Sequence, residues 1–143
     1  MVLNILLHTT DVDKLIEAGV PILDLYNSGY SIKTLKENGA SDQDLEDAGL
    51  IGTFIDERDN HKYKWVKIGN QIWMAENLAY LPAVVGPGTS SETTPYYYVY
   101  GYNGTNVSEA KAKPNYTTYG VLYNWQSAMT ACPAGWHISS DAE

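Results

Sequence analysis

At 143 residues and a formal charge of −8, the chain has the length of one domain, or of one small module joined to part of another. It carries no basic patch, which argues against phosphate-driven nucleic-acid binding, and no apolar run near the roughly 20 residues needed to span a bilayer. Twelve Tyr and four Trp stand against a single Phe, a balance that favours half-exposed contact surfaces, because tyrosine joins a flat apolar face to a polar tip.

The first eleven residues, MVLNILLHTTD, lack a basic leader and a small-residue cleavage site, so they do not read as a signal peptide. Residues 1 to 10 have the look of a worn repeat unit whose glycine is missing, and His8 reads as a surface residue. From residue 11 the repeat is strict. DVDKLIEAGV, PILDLYNSGY, SIKTLKENGA and SDQDLEDAGL fill units 11–20, 21–30, 31–40 and 41–50, with leucine at 15, 25, 35 and 45 and glycine at 19, 29, 39 and 49. Each unit opens on a helix-starting residue (Asp11, Pro21, Ser31, Ser41). Gly19, Gly29, Gly39 and Gly49 fall where a left-handed stop is needed, with the leucine and the residue after the glycine placed for the contact that accompanies a Schellman ending. The pattern predicts four two-turn helices that are stable only when stacked. Residues 11 to 50 hold nine acidic and three basic side chains, either a solvated face or a docking surface. Residues 1–50 therefore form one predicted module and residues 51–143 another.

In the second module the period becomes extended. Phe54-Ile55, the turn at Asp59-Asn60 and the run Tyr63 to Ile68 predict strand, turn, strand. A hairpin then follows through Gly69-Asn70 to Ile72-Trp73-Met74, with apolar residues on both strand faces. Asp56, Glu57, Asp59 and Asn60 could ligate calcium through oxygen, but they lack the spacing of a 12-residue calcium loop. Asp56 and Asp59 are the only metal candidates worth naming, and a polar turn explains them equally well. Glu76-Asn77 is placed to tie down a loop backbone. The Pro-, Gly- and Ser-rich stretch beyond reads as a long loop.

Tyr96, Tyr97, Tyr98, Tyr100 and Tyr102 follow within seven residues. In a strand, Tyr96, Tyr98, Tyr100 and Tyr102 would share one face. Such a row suits stacking on sugar rings or a protein partner; alternatively it packs on Trp125 and the helix beneath. Asn103-Gly-Thr, Asn106-Val-Ser and Asn115-Tyr-Thr match glycosylation acceptors. A helix is predicted from about Tyr123 to Ala131, stopped by Cys132-Pro133. Cys132 and His137 show no catalytic partner, Trp136 and His137 read as packing residues, and His61 as a surface residue. No phosphate loop, nucleophile elbow or paired metal-binding histidines occur, so no cofactor is expected.

VKIGNQIWMAENL at 66–78, YGVLYNW at 119–125 and CPAGWH at 132–137 resemble the strings of the Fibrobacter succinogenes major paralogous domain (FISUMP) family, over about residues 52 to 143. The resemblance implies an α+β fold, a partial C-type-lectin-like domain cut at its C-terminus, here preceded by an array of short helices. It implies structural roles for Trp73, Asn77, Trp125 and Trp136, with Cys132 in a turn. Family members often carry a second cysteine where this chain has its Tyr run, so a bridge is not expected. The resemblance also implies an extracellular or cell-envelope setting. The expected function is a non-catalytic binding module for a glycan or surface-protein ligand on a helical-repeat spacer. A structural component of a bacterial surface or phage fibre is the alternative. An enzyme of the formylglycine-generating fold group is third, since the catalytic cysteine pair has no counterpart.

Overall fold

The structure, a computed structural model, describes residues 11–143; the expectations for residues 1 to 10, including His8, lie outside the described residues. Four helices come first: α1 (Val12–Glu17), α2 (Ile22–Asn27), α3 (Ile32–Glu37) and α4 (Asp42–Asp47). Strands β1 (Ile51–Asp56), β2 (His61–Ile68) and β3 (Gln71–Met74) then build a sheet in the order β1-β2-β3. A two-stranded ladder of β4 (Tyr97–Tyr98) and β5 (Leu122–Tyr123) follows, with α5 (Val107–Lys111), α6 (Pro114–Tyr119) and α7 (Trp125–Ala131). Short helices followed by antiparallel strand pairs make the chain α+β. Among the described residues no helix is long and apolar enough to cross a membrane.

The repeat array follows from its punctuation. Gly19, Gly29, Gly39 and Gly49 have φ of 78°, 104°, 106° and 66°, the region where a Cβ is disfavoured. At every unit end both Schellman bonds are present. In the first, Val20 N–H donates to Leu15 C=O at 3.0 Å and Gly19 N–H to Ile16 C=O at 2.9 Å. In the last, Leu50 N–H donates to Leu45 C=O and Gly49 N–H to Glu46 C=O, both at 2.9 Å. These bonds satisfy carbonyls that a two-turn helix would leave open. The N-terminal ends differ. Ser31 accepts from Thr34 N–H at 3.0 Å, and Ser41 forms a capping box with Asp44. Pro21 has no side chain able to cap, and the Asp11 carboxylate pairs with Lys14. Leu15, Leu25, Leu35 and Leu45 are buried together with Val12, Ala40 and Leu50 in one core, and each leucine contributes about 1.5–3 kcal/mol by burial. The charged side chains of all four units are exposed.

The chain divides into two compact units, and the division crosses the expected boundary at residue 50. One unit holds the repeats through Thr53 together with Lys64–Met74; the other holds Phe54–Tyr63 and Ala75–Glu143. Within the first unit, the Tyr26 hydroxyl accepts from Gly69 N–H at 2.9 Å and donates to Lys67 C=O at 3.3 Å. Lys67 N–H donates to Leu50 C=O at 2.8 Å. A repeat residue thus fixes the hairpin turn. β2 and β3 are antiparallel, with Ile68 opposite Gln71 and Val66 opposite Trp73. Gly69 alone supplies the positive φ of that turn, 60°; Asn70 does not share it, as a turn with glycine first requires.

In the second unit, the β1–β2 turn places Asn60 at φ 57°, and Asn60 N–H donates to Asp56 C=O at 2.8 Å. A stack runs Trp136–Phe54–Tyr63, with centroids 4.5 and 5.4 Å apart. The main core gathers Leu81, Val84, Val99, Tyr102, Ala110 and Val121. Helix α7 starts two residues later than predicted. Leu122 and Tyr123 pair with β4, and Asn124 caps the helix by accepting from Ser127 N–H at 3.1 Å.

Replacing Gly39 by Ala tests the repeat punctuation. A Cβ there meets nothing within 4 Å, so the cost is backbone strain alone, about 1–2 kcal/mol. Urea unfolding should show that loss, and an unchanged midpoint would contradict the left-handed stop.

Candidate ligand-binding surface

Between Met74 and Tyr97 the chain forms no helix or strand, so its backbone polar groups need other partners. Tyrosines supply several of them. Ala79 N–H donates to the Tyr63 hydroxyl at 2.9 Å, the Tyr116 hydroxyl donates to Ala79 C=O at 2.8 Å, and the Tyr123 hydroxyl to Tyr80 C=O at 2.9 Å. Burial pushes the Tyr63 hydroxyl up to about 12, and raises Tyr116 and Tyr123 as well. These hydroxyls remain protonated donors or acceptors across ordinary pH. Asn77, expected to tie this loop, is instead exposed, as is Glu76; longer side chains from other elements reach the backbone first.

The tyrosine run does not form a four-residue row. Pairing with β5 stops at Tyr98, and the chain then turns, with Tyr102 N–H donating to Val99 C=O at 3.0 Å and Gly101 at φ 74°. A positive φ at the third turn position breaks strand alternation. Each ring therefore has its own setting. Tyr96 is half-buried, and its N–H donates to Asn124 Oδ1 at 2.9 Å. Tyr98 is half-buried and its hydroxyl donates to Thr89 C=O at 2.8 Å. Tyr100 is 62 % exposed and meets Tyr119 edge-on at 5.9 Å, while Asn115 Nδ2 donates to its carbonyl at 3.0 Å. Tyr102 is only 8 % exposed. Its hydroxyl donates to Glu109 Oε2 at 2.9 Å and accepts from Asn106 N–H, and burial followed by the Glu109 carboxylate raises its pKa.

Tyr98 and Tyr100 line an open cleft of about 520 Å³ together with Pro87, Asn103 and Leu122. Its lining has aromatic faces, an amide and no charged side chain. Tyr119 and Leu122, absent from the sequence-based candidates, both present exposed apolar surface; turn geometry brings Tyr119 to Tyr100, and neighbouring spacing does not signal it.

The remaining candidates fall elsewhere. Trp125 is 70 % exposed at the first turn of α7, so it is not the floor beneath the tyrosines. With Met129, Cys132, Trp136 and Ile138 it lines a second cleft of about 400 Å³. Trp73 sits exposed on β3, its indole N–H donating to Gln71 Oε1 at 3.1 Å. Trp136 does pack, stacked on Phe54. His137 does not; it is exposed, with Nε2 2.9 Å from Glu143 Oε1. His61 is half-buried against the Tyr63 ring. Burial raises the Cys132 thiol, only partly countered by Arg58, the reverse of what a thiolate nucleophile needs.

Asp56 is committed to Arg58. The carboxylate is 2 % exposed, with Arg58 Nε 2.9 Å from Oδ1 and Arg58 Nη2 2.7 Å from Oδ2. Arg58 also donates to Ala131 C=O at 2.8 Å and lies 3.9 Å from the Tyr80 ring centroid. Asp59 Oδ1 accepts from His61 N–H at 3.2 Å. Both acids serve the turn and its packing. The Arg58 hydrogen bond holds Asp56 below its ordinary value of 3.8, so this pair contributes stability at higher pH and loses it as pH falls below that value. Arg58→Met leaves a buried carboxylate without its cation, at a cost of about 3–5 kcal/mol near neutrality. Urea titrations should show that deficit shrinking as pH falls through the carboxylate range. A deficit independent of pH would contradict the pairing.

The Fibrobacter succinogenes major domain family model matches residues 66–143, more than half of the chain. No curated protein and no solved structure matches the chain.

Proposed function

The chain belongs to the Fibrobacter succinogenes major domain family, and from that premise we propose that it is a non-catalytic binding module of C-type-lectin-like character acting outside the cell or in its envelope. Its ligand surface is the Tyr98–Tyr100 cleft. The observation that carries this reading is Tyr100, a ring left 62 % exposed while its backbone and one edge are fixed by Asn115 and Tyr119. A fixed, exposed aromatic surface loses little freedom when it binds. The uncharged lining suits a neutral ligand that presents a C–H face and hydroxyls, as a sugar ring does. Tyr98 contributes a second ring, held by its bond to Thr89.

Tyr100→Ala should leave circular dichroism and thermal midpoint nearly unchanged, because the ring is largely solvated. On a glycan array the same variant should lose binding by about 2 kcal/mol or more, as aromatic anchors do when truncated. Tyr102→Ala, in contrast, should destabilise the fold by about 3 kcal/mol or more. Full glycan binding by folded Tyr100→Ala would contradict the assignment.

A further inference from the structure

Asn-Gly occurs twice in the chain, at Asn38-Gly39 and Asn103-Gly104. In this dipeptide the nitrogen following asparagine is least hindered, because glycine has no Cβ, and that nitrogen can attack the side-chain amide carbon. The fold treats the two pairs oppositely. Gly39 N–H donates to Lys36 C=O at 3.2 Å within its Schellman ending, and Asn38 Nδ2 donates to Thr34 C=O at 2.8 Å. Both reacting groups are engaged, and Asn38 is half-buried. Asn103 is exposed, and the pair lies outside helix and strand at a bend. Among the described residues no hydrogen bond engages the Asn103 amide or the Gly104 N–H. The other two glycosylation-type asparagines are also occupied: Asn106 Oδ1 accepts from Glu109 N–H at 3.2 Å, and Asn115 Nδ2 donates to Tyr100 C=O at 3.0 Å.

We propose that Asn103 is a site of spontaneous deamidation, which places a negative charge on the rim of the aromatic cleft. The Gly104 nitrogen bonds to Asn103 Cγ, and the amide nitrogen leaves as ammonia, taking up the proton that the Gly104 nitrogen gives up. Water then opens the cyclic imide to aspartate or isoaspartate. The balance needs only water, with no oxidant or cofactor. Asn103 lines the cleft with Tyr98 and Tyr100, so the product converts an uncharged lining to an anionic one close to the Tyr102–Glu109 pair. On the preceding reading of the cleft, on which this consequence alone rests, ageing then weakens capture of a neutral ligand. It also removes the Asn103-Gly104-Thr105 acceptor.

The test is peptide mapping by mass spectrometry after incubation of the full chain in mildly alkaline buffer. In the folded protein, Asn103 should gain its one mass unit about tenfold or more faster than Asn38, which must first break hydrogen bonds by local opening. In guanidinium the two rates should converge. Asn103→Gln should fold normally and abolish the signal from that peptide. Equal rates in the folded state, or faster reaction at Asn38, would overturn the inference. A difference that survives denaturation would do the same, because it would belong to flanking sequence and not to the fold. No ligand enters the measurement, so its outcome is independent of whether the cleft binds sugar.

Discussion

The Asn124 carboxamide makes all four hydrogen bonds open to such a group, and every one goes to backbone. Oδ1 accepts from Tyr96 N–H at 2.9 Å and Ser127 N–H at 3.1 Å; Nδ2 donates to Ser91 C=O at 3.0 Å and Thr94 C=O at 2.8 Å. One side chain thereby caps α7, closes the 91–94 turn and fixes where the tyrosine run begins. Ser127, fully buried, adds a bond from its hydroxyl to Tyr96 C=O at 2.7 Å. β4 is only two residues long and could not hold its register alone. Its position is set by Asn124, and Tyr98 and Tyr100 follow from it.

The same logic extends along the irregular segment. A chain of more than twenty residues without secondary structure, left unpaired in a protein interior, would cost about 1–3 kcal/mol for each buried polar group. Tyrosine solves this economically in space: its ring fills the core while its hydroxyl reaches a backbone group. Tyr63, Tyr116 and Tyr123 do this at Ala79 and Tyr80, and Tyr26 does it at Lys67 and Gly69 in the other unit. Much of the tyrosine content is thus structural, and the rings left mostly to solvent are Tyr100 at the run's turn and Tyr119 beside it.

The repeat region was legible because its punctuation is local. A glycine every tenth residue with leucine four before it specifies a helix end whatever surrounds it, and all four ends carry the expected bonds. The hairpin at Gly69 was legible for the same reason. The tyrosine row fails because alternation holds only while a strand continues: pairing stops at Tyr98 and the chain turns through Gly101, so that Tyr102 faces inward and Tyr100 outward. Within the YGVLYNW string the anchoring residue is Asn124 and not its neighbour Trp125, whose indole is exposed. Asparagine directly before a helix was the available signal. Long-range choices such as Tyr26 reaching the hairpin, or Tyr119 meeting Tyr100, leave no trace in local spacing.

If Asn124 organises the second unit, its removal should loosen that unit selectively. Amide hydrogen exchange on Asn124→Ala is the direct measurement, since exchange reports local opening residue by residue. The account predicts faster exchange at Tyr96, Ser127 and Val85, whose N–H donates to Tyr97 C=O, with unchanged protection at Val20, Tyr30, Ala40 and Leu50 in the repeats. Unaltered exchange at Val85 and Tyr96 in the variant would contradict it.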